Sequence, residues 1–237
     1  MPEIVAHRGA KRERPENTLA AFARALELGA DAFELDVHAT RDGAVVVHHD
    51  PVVREHEGDA ATLPIASMTR RQLTELDVGG EPIPLLRDVL ELAAGRATVY
   101  VEIKGKSIEK LVVGVVRAWR ATCAIHSFDH AAIARVRELA PEIPRGLLFE
   151  HRGHDMVAAL VAHDARDLWP HVPLVTEELV AAVHAAGRRV VVWTVNAAAD
   201  AKRLSEFGVD ALCGDDVTLL REASGRSDGE RARGGGR

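Results

Sequence analysis

The stretch Ala32-Phe33-Glu34-Leu35-Asp36-Val37, residues 32–37, alternates apolar and acidic side chains as a β-strand does. Successive strand side chains point to opposite faces, so Glu34 and Asp36 share one face while Phe33 and Leu35 share the other. Buried strands are not expected to carry ionisable residues unless those residues pair or bind something. In a barrel of parallel strands the acidic face would be the interior, at the C-terminal mouth where active sites lie.

Similar apolar runs recur along the chain, with helical segments between them. The sequence predicts strands near 3–7, 31–37, 97–103, 121–127, 144–149, 165–169, 188–194 and 209–213. An extra extended run at 44–49 precedes an insertion at about 50–68. Eight strands alternating with helices predict an α/β fold, a (β/α)8 TIM barrel in one domain with a small insertion after the second strand. A doubly wound open sheet is the main alternative, but its glycine-rich phosphate-binding motifs are absent.

Local signals mark where elements begin and where the fold should end. In the segment 177–186 apolar residues recur at helical spacing, and Thr176 is a suitable N-cap for that helix. The barrel is expected to occupy residues 1–222. Beyond it the chain becomes polar and rich in glycine, so residues 223–237 are expected to form a disordered tail.

The bulk composition excludes several classes of protein. The chain has 237 residues, 47% of them hydrophobic and 28% charged, which is typical of a globular protein. A net charge of −6 argues against general nucleic-acid binding, and no apolar stretch is long enough to span a bilayer. The N-terminus lacks the pattern of a signal peptide, so we expect a cytoplasmic location. Cys123 and Cys213 lie in apolar segments and are expected to be buried free thiols.

Three carboxylates are expected to converge at the barrel mouth. Glu102 and Lys104 come at the end of the third barrel strand and share one face, as Glu34 and Asp36 do on the second. Oxygen ligands suit a hard cation, so Glu34, Asp36 and Glu102 are candidate ligands for one Mg²⁺ or Ca²⁺ ion. The alternative is a set of internal salt bridges with Arg8 and Lys104. Burying several carboxylates without a cation is costly, which favours the metal.

Two histidines are expected beside these carboxylates. His7 ends the first strand, and His49 ends the extended run after the second, so both can approach the same mouth. Two histidines next to a carboxylate cluster suggest proton transfer, and they are the candidate catalytic residues. Asp50 could orient His49 or cap the turn that follows it.

Four further residues are candidates for binding a substrate. Arg8 and Lys104 could stabilise the charge of a phosphoryl group or form ion pairs with the acidic residues, and the sequence leaves both open. Phe128 and Trp193 lie at strand ends, where an aromatic ring can wall a pocket or belong to the core. Asp215, after the last strand, is expected to cap the final helix.

Four other histidines are weaker candidates. His126 and His130 have a loose metal-like spacing, and His151 and His154 lie in a loop near the expected mouth. The chain has no H-E-x-x-H motif, which argues against a familiar zinc-hydrolase site. All four are therefore interpreted as surface or loop residues.

An ordered series of short motifs resembles the glycerophosphodiester phosphodiesterase family. Single motifs such as HRG carry little weight, whereas the same series in the same order over residues 3–217 is specific. The series comprises HRG at 7–9, ENT at 16–18, ELDV at 34–37, TRDG at 40–43, VHHD at 47–50, LTEL at 73–76, IPLL at 83–86, EIK at 102–104, SF at 127–128 and WTVN at 193–196.

The resemblance implies a (β/α)8 barrel that hydrolyses glycerophosphodiesters to glycerol 3-phosphate and an alcohol. It also implies a divalent ion held by three carboxylates, a histidine acid/base pair and two cations beside the phosphate: Glu34, Asp36 and Glu102; His7 and His49; Arg8 and Lys104. The segment 50–68 corresponds to the family's small insertion, which helps to shape the glycerol side of the site. Residues 51–57 and 213–217 depart from the family pattern.

Two other functions compete with this one. The same site could cleave lysophospholipids in the manner of a lysophospholipase D, which an apolar groove at the mouth would favour. The barrel could also bind phosphodiesters or a partner without turnover, although the predicted acid, base and ligand positions are all intact. The expected partner is a small molecule, with no nucleic acid and no stable membrane insertion; the alcohol group, the choice of Mg²⁺ or Ca²⁺ and the oligomeric state are left open.

Overall fold

The fold is a closed barrel of eight parallel strands. The computed structural model describes residues 1–54, 62–119, 121–153 and 155–226. The barrel strands are β1 (Glu3–His7), β2 (Ala32–Ala39), β3 (Thr98–Ile103), β4 (Cys123–Ser127), β5 (Arg145–Phe149), β6 (Asp167–Pro170), β7 (Arg189–Val192) and β8 (Ala211–Gly214). Strand β1 pairs in parallel with β8 on one side and with β2 on the other, and this pairing closes the barrel. The predicted (β/α)8 TIM barrel is confirmed.

Helices follow the strands along the chain and cover the outside of the barrel. They are α1 (Leu19–Glu27), α2 (Leu86–Ala93), α3 (Glu109–Trp119), α4 (His130–Leu139), α5 (Met156–Ala162), α6 (Glu177–Ala185), α7 (Ala198–Glu206) and α8 (Val217–Ala223). The predicted N-cap is confirmed, because the Thr176 hydroxyl accepts a hydrogen bond from the Leu179 N–H. Thr18 caps α1 in the same way through the Ala21 N–H.

An extra segment separates β2 from α2. It contains a strand antiparallel to β2 (Val45–Val47), a hairpin of Val52–Arg54 with Thr62–Pro64, a short 3₁₀ turn (Ile65–Ser67), a short helix (Arg70–Leu73) and a two-residue hairpin (Asp77–Val78 with Glu81–Pro82). Val53, Ile65 and Leu73 belong to a small apolar cluster of its own. The segment is therefore longer than the predicted insertion at 50–68, of which residues 55–61 lie outside the described residues.

The apolar side chains form two layers, one on each face of the barrel wall. Phe33, Leu35, Val101 and Ile103 face outward and pack into the large core beneath the helices, as the strand alternation predicted. A second cluster fills the barrel interior, where Trp169 is its largest buried side chain. The filled interior leaves the C-terminal mouth as the open end of the barrel.

The opposite, N-terminal end of the barrel is closed by a polar network. The Arg189 guanidinium contacts Glu3 Oε2 at 2.8 Å and Asp167 Oδ1 at 3.4 Å. The Tyr100 hydroxyl donates to Glu3 Oε2 at 2.7 Å, and Arg166 forms a bidentate pair with the fully buried Asp167. These groups satisfy one another, so this end of the barrel stabilises the fold and offers no free ligand.

The C-terminal boundary lies later than the sequence predicted. The tail was expected to begin at residue 223, but Ala223 is the last residue of α8. The Arg226 guanidinium donates to Asp31 Oδ2 at 2.5 Å and to the Pro2 carbonyl at 2.7 Å, so residues 223–226 belong to the fold. The remainder of the predicted tail, 227–237, lies outside the described residues.

Two expectations from composition can be compared with the structure. Cys123 and Cys213 are buried and form no disulfide, as predicted. Over the described part of the chain, no helix is both long and apolar enough to cross a bilayer.

Gly9 provides a test of the packing between β1 and α1. Its φ is +83°, and a Cβ at this position would lie 2.7 Å from the carbonyl carbon of Ala21 in α1. Gly208 also has a positive φ, +80°, but a Cβ there would meet open space. We expect Gly9→Ala to lower the free energy of unfolding by about 2–5 kcal/mol, through strain plus overlap, and Gly208→Ala by about 1–2 kcal/mol, through strain alone. Urea unfolding followed by circular dichroism measures both, and equal losses would contradict the predicted overlap.

Candidate active site

A cavity of about 230 Å³ opens at the C-terminal mouth of the barrel. It is lined by thirteen residues: His7, Arg8, Glu34, His49, Glu102, Lys104, His126, Phe128, Leu148, Glu150, Trp169, Trp193 and Cys213. All the sequence-predicted site residues except Asp36 are among them. Asp36 is fully buried behind the cavity wall.

Strand register explains why residues distant in sequence meet here. His7 of β1 lies opposite Glu34 of β2, and Asp36 of β2 lies opposite Glu102 of β3. Glu102 in turn lies opposite His126 of β4. Because neighbouring side chains in a parallel sheet point the same way, four adjacent strands present these groups to one end of the barrel interior.

The buried carboxylates differ in their protonation. Burial and the nearby charge of Asp36 raise the pKa of Glu34 to about 7, and they raise the pKa of Glu102 to about 7 as well. Burial alone would also raise the pKa of Asp36, but Arg8, Lys104 and a hydrogen bond from Asn17 outweigh it and lower that pKa. Asp36 is therefore the member of the cluster that ionises most readily in the absence of a cation.

Asp36 forms the internal ion pairs that the sequence left as an alternative. Arg8 Nε lies 3.0 Å from Asp36 Oδ2, and Lys104 Nζ lies 3.6 Å from Oδ1. Asn17 Nδ2 donates to Oδ2 at 2.9 Å. Among the described residues, Asp36 Oδ1 and Glu34 Oε2 are buried and accept no hydrogen bond. These two oxygens are therefore available to a further partner.

His126 is the site residue that the sequence interpretation placed wrongly. It is not a surface or loop residue: it lies within β4 with 1% of its surface exposed, and its Nε2 is 3.6 Å from Glu34 Oε1. Burial lowers its pKa to about 4. One donor atom each from Glu34, Glu102 and His126 lie within 4.8 Å of one another, so this group could hold a metal ion. The signal was present in the strand predicted at 121–127, whose alternation puts residue 126 on the inner face.

Two of the other weak histidine candidates, His130 and His151, lie apart from this cluster. His130 begins α4 and donates from Nε2 to the Leu148 carbonyl at 3.1 Å, so it is a helix residue. His151 is exposed in a loop, as predicted. His154 lies outside the described residues.

His7 is oriented by a carboxylate from the other end of the chain. Its Nδ1 lies 2.7 Å from Asp215 Oδ1, while its Nε2 lies 3.9 Å from Glu34 Oε2. Asp215 also accepts from Asn196 Nδ2 at 2.8 Å and lies 3.2 Å from Lys11 Nζ. Burial opposes ionisation of Asp215, but these partners hold its pKa well below the usual range. Since the carboxylate accepts a hydrogen bond, Nδ1 of His7 carries the proton and Nε2 faces the cavity.

The predicted role of Asp215 as cap of the final helix is wrong. The cap of α8 is Asp216, whose Oδ1 accepts from the Leu219 N–H at 3.0 Å. Two adjacent aspartates, Asp215 and Asp216, follow the last strand, and the sequence alone does not distinguish which of them is the N-cap of α8. The register of the loop turns the first of them towards the barrel mouth and His7.

His49 has the same arrangement on the other side of the cavity. Its Nδ1 lies 2.8 Å from Asp50 Oδ1, and its Nε2 lies 3.2 Å from Lys104 Nζ. A lysine ammonium can only donate, so Nε2 accepts and Nδ1 donates to Asp50, as the predicted orienting contact requires. His38, which the sequence interpretation did not consider, donates from Nε2 to the His49 carbonyl at 3.1 Å. It shares the inner face of β2 with Glu34, which is the signal that could have identified it.

Phe128 and Trp193 form a wall of the cavity. Their rings meet edge to face with centroids 5.4 Å apart, and Phe128 is 41% exposed. The Trp193 indole N–H donates to the Trp169 carbonyl at 3.0 Å, which fixes the ring. Of the two roles open from the sequence, the structure shows the pocket wall. The cavity thus combines an acidic cluster, two oriented imidazoles, two cationic side chains and an aromatic wall.

The comparisons with known proteins point to one family. Residues 7–219 match the model of the glycerophosphoryl diester phosphodiesterase family. A glycerophosphodiester phosphodiesterase from Caldanaerobacter subterraneus subsp. tengcongensis is 34% identical over 234 residues, covering 92% of this chain and 95% of that protein. The structure resembles a glycerophosphodiester phosphodiesterase from Agrobacterium tumefaciens (TM-score 0.81, 28% identity, 94% of this chain and 100% of that one). It also resembles an Oleispira antarctica phosphodiesterase in complex with the product sn-glycerol-3-phosphate (TM-score 0.84, 26% identity, 94% and 96%).

The raised pKa values of Glu34 and Glu102 predict a pH-dependent stability. A carboxyl whose pKa is about 7 in the fold and 4.5 ordinarily holds its proton more tightly in the folded protein. In the presence of a chelator, the free energy of unfolding should therefore fall as pH rises from about 4.5 to about 7. Glu34→Gln should reduce this fall by on the order of 2 kcal/mol.

Denaturant unfolding at pH 5 and pH 8 measures the effect. The matched control is Glu138→Gln, because Glu138 is exposed on α4 and should leave the fall unchanged. The same fall in Glu34→Gln as in the unsubstituted protein would refute the raised pKa.

Proposed function

The chain belongs to the glycerophosphoryl diester phosphodiesterase family and is an enzyme of that class, and on that premise we propose that it hydrolyses glycerophosphodiesters to glycerol 3-phosphate and an alcohol with the help of a divalent cation. The observation that carries the proposal is the placement of two carboxylate-oriented histidines, His7 and His49, on either side of an acidic cluster in one cavity. The product bound to the Oleispira antarctica relative is one of the two products proposed here.

The acidic cluster fits a hard divalent cation. Glu34 Oε2 and Asp36 Oδ1 are buried oxygens without a hydrogen-bond donor among the residues described. Together with Glu102 they form the proposed ligand set for Mg²⁺ or Ca²⁺, both of which prefer oxygen donors. Such an ion would supply positive charge next to the phosphate and stabilise the charge that develops on its oxygens. Burial in the fold disfavours the negative charges of Glu34 and Glu102, and the bound ion would compensate for them.

The two histidines are proposed to move the protons. Each has its Nδ1 engaged by an aspartate, Asp215 for His7 and Asp50 for His49, and each directs Nε2 towards the cavity. One Nε2 accepts the proton of the attacking hydroxyl. Attack by water gives glycerol 3-phosphate directly, whereas attack by a glycerol hydroxyl gives a cyclic phosphate that water opens to glycerol 3-phosphate in a second step. The other Nε2 donates a proton to the oxygen of the departing alcohol. A bell-shaped dependence of kcat/KM on pH follows, because one imidazole must begin neutral and the other protonated.

The remaining site residues are proposed to bind the substrate. Arg8 and Lys104 lie on the cavity wall and pair with Asp36, so they can also face a phosphate that enters beside it. Phe128 and Trp193 offer apolar surface to the carbon chain of the glycerol or the alcohol. A small-molecule substrate without a nucleic-acid partner and a cytoplasmic location stay predictions from the sequence.

Removing either histidine should reduce turnover strongly. We expect His7→Ala and His49→Ala each to lower kcat about 10²–10⁴-fold, because general acid and base catalysis contributes a factor of this size. The measurement is release of glycerol 3-phosphate from glycerophosphoethanolamine and glycerophosphoglycerol with Mg²⁺, Ca²⁺ or chelator. The control is His151→Ala, since His151 is an exposed loop residue. Normal turnover in both cavity variants would refute the assignment.

The same assay separates the competing functions. Cation-dependent release from the small diesters supports the proposal, whereas turnover confined to a lysophospholipid would indicate a lysophospholipase D-like enzyme. No turnover of any substrate with any cation would favour a barrel that binds phosphodiesters without cleaving them.

Asp215 should act on turnover through His7. Asp215→Asn keeps the size of the side chain but removes the charge that fixes the Nδ1–H tautomer, so we expect kcat to fall about 10²-fold with little change in KM. Asp216→Asn is the matched control, because asparagine caps helices as well as aspartate does and α8 should keep its N-cap. A fall of kcat in the control as large as in Asp215→Asn would assign the effect to the loop.

A further inference from the structure

His126 is a buried imidazole whose ring nitrogens make no hydrogen bond within the described part of the chain. It has 1% of its surface exposed, and neither Nδ1 nor Nε2 makes a hydrogen bond to any residue that the structure describes. A neutral imidazole carries one N–H donor and one acceptor lone pair. Leaving a buried donor or acceptor unsatisfied costs about 1–3 kcal/mol, so this imidazole calls for a partner other than the residues that the structure describes.

The ring is held in place by aromatic contacts. It stacks on the Trp169 indole at 4.2 Å between centroids with the planes 10° apart, and it lies 6.4 Å from the Tyr100 ring. Gly146 on the neighbouring strand makes this possible, because a Cβ there would lie 2.7 Å from the Trp169 indole. His126 is thus fixed towards the cluster without hydrogen bonds, which leaves its ring nitrogens free for another ligand.

The distance from His126 to Glu34 is one expected of two ligands on one ion, and Glu102 lies close to both. Two donor atoms bound at about 2.1 Å to the same ion lie no more than about 4.2 Å apart. Nε2 of His126 is 3.6 Å from Glu34 Oε1, and the donor atoms of Glu34, Glu102 and His126 lie within 4.8 Å of one another. A small inward adjustment of these side chains would bring all three donors onto one ion.

We propose that His126 donates a nitrogen ligand to the cation held by Glu34 and Glu102, and that this nitrogen makes the site prefer later transition ions such as Co²⁺ to Ca²⁺. Oxygen-only sites favour Ca²⁺ and Mg²⁺, whereas an imidazole ligand raises the affinity for later first-row ions. The inference rests on the cation site of the proposed function and adds to it a ligand and an ion preference.

The direct test is pulsed electron paramagnetic resonance of the chelator-treated protein reloaded with Mn²⁺ alone. We expect modulation from a directly bound nitrogen-14 nucleus, and we expect it to persist when the other two histidines of the cavity are replaced, in His7→Gln/His49→Gln. The double variant therefore tests the role of His126 without requiring that a variant at residue 126 folds. Bound Mn²⁺ without nitrogen modulation in the unsubstituted protein would overturn the proposal, as would modulation lost in the double variant.

The ion preference is tested by calorimetric titration with Co²⁺ and Ca²⁺. His126→Gln should lower the Co²⁺ affinity about tenfold or more and change the Ca²⁺ affinity less than about threefold, because only the nitrogen donor is removed. His130→Gln is the matched control, since His130 begins the next helix and bonds to a backbone carbonyl. An unchanged ratio of Co²⁺ to Ca²⁺ affinities in folded His126→Gln would refute the preference.

The outcomes for this ligand and for the cation-dependent function are distinguishable. If the protein binds neither Co²⁺ nor Ca²⁺ in calorimetry and no Mn²⁺ in the resonance experiment, the cation site itself fails, and with it both the proposed mechanism and the role of His126. If it binds them without nitrogen coupling, only the role of His126 fails.

Discussion

The desolvation of several carboxylates at one end of a closed barrel is the constraint on which the site depends. Glu34 and Asp36 are almost completely buried, so each must find compensating charge or hold its proton more tightly. Asp36 is compensated by nearby charges, and its neighbour Glu34 holds its proton more tightly. Asp36 receives Arg8, Lys104 and Asn17 and is ionised, whereas Glu34 keeps a buried oxygen without a donor among the described residues and has a raised pKa. An incompletely compensated cluster of this kind is what a cation can complete.

Comparing the two ends of the barrel shows that uncompensated buried charge is particular to the C-terminal mouth. At the N-terminal end Asp167 and Tyr100 are also buried, and Glu3 and Arg189 are half-buried, but donors and acceptors there match one another. The same residue types therefore close one end and leave the other reactive. Natural proteins commonly leave local rules unsatisfied at functional sites, while the rest of the fold supplies the stability.

The strand-borne part of this arrangement could be predicted from the sequence. Alternation within 32–37 fixes which face Glu34 takes, and eight such segments fix the barrel, because period and element order are local properties. Contacts made by loops could not be obtained in this way. Asp215 meets His7 across 208 positions, and whether it or its neighbour Asp216 caps α8 depends on a loop conformation that no periodicity encodes. Arg226, which bonds to Asp31, escaped prediction because the surrounding composition is that of a tail.

The prediction for His126 was wrong for a different reason. Its strand was predicted, and the alternation of that strand already indicated that residue 126 lies on the inner face. An isolated histidine is usually structural, and its chemistry became visible only with Glu34 at 3.6 Å and an indole stacked behind it. Trp169 belongs to the barrel's inner core, and Gly146 leaves the space that its indole occupies. The interior packing therefore determines the direction in which the imidazole faces the acidic cluster. The core below the mouth therefore contributes to the chemistry of the site. Stacking on Trp169 orients His126, whereas hydrogen bonds to aspartates orient His7 and His49.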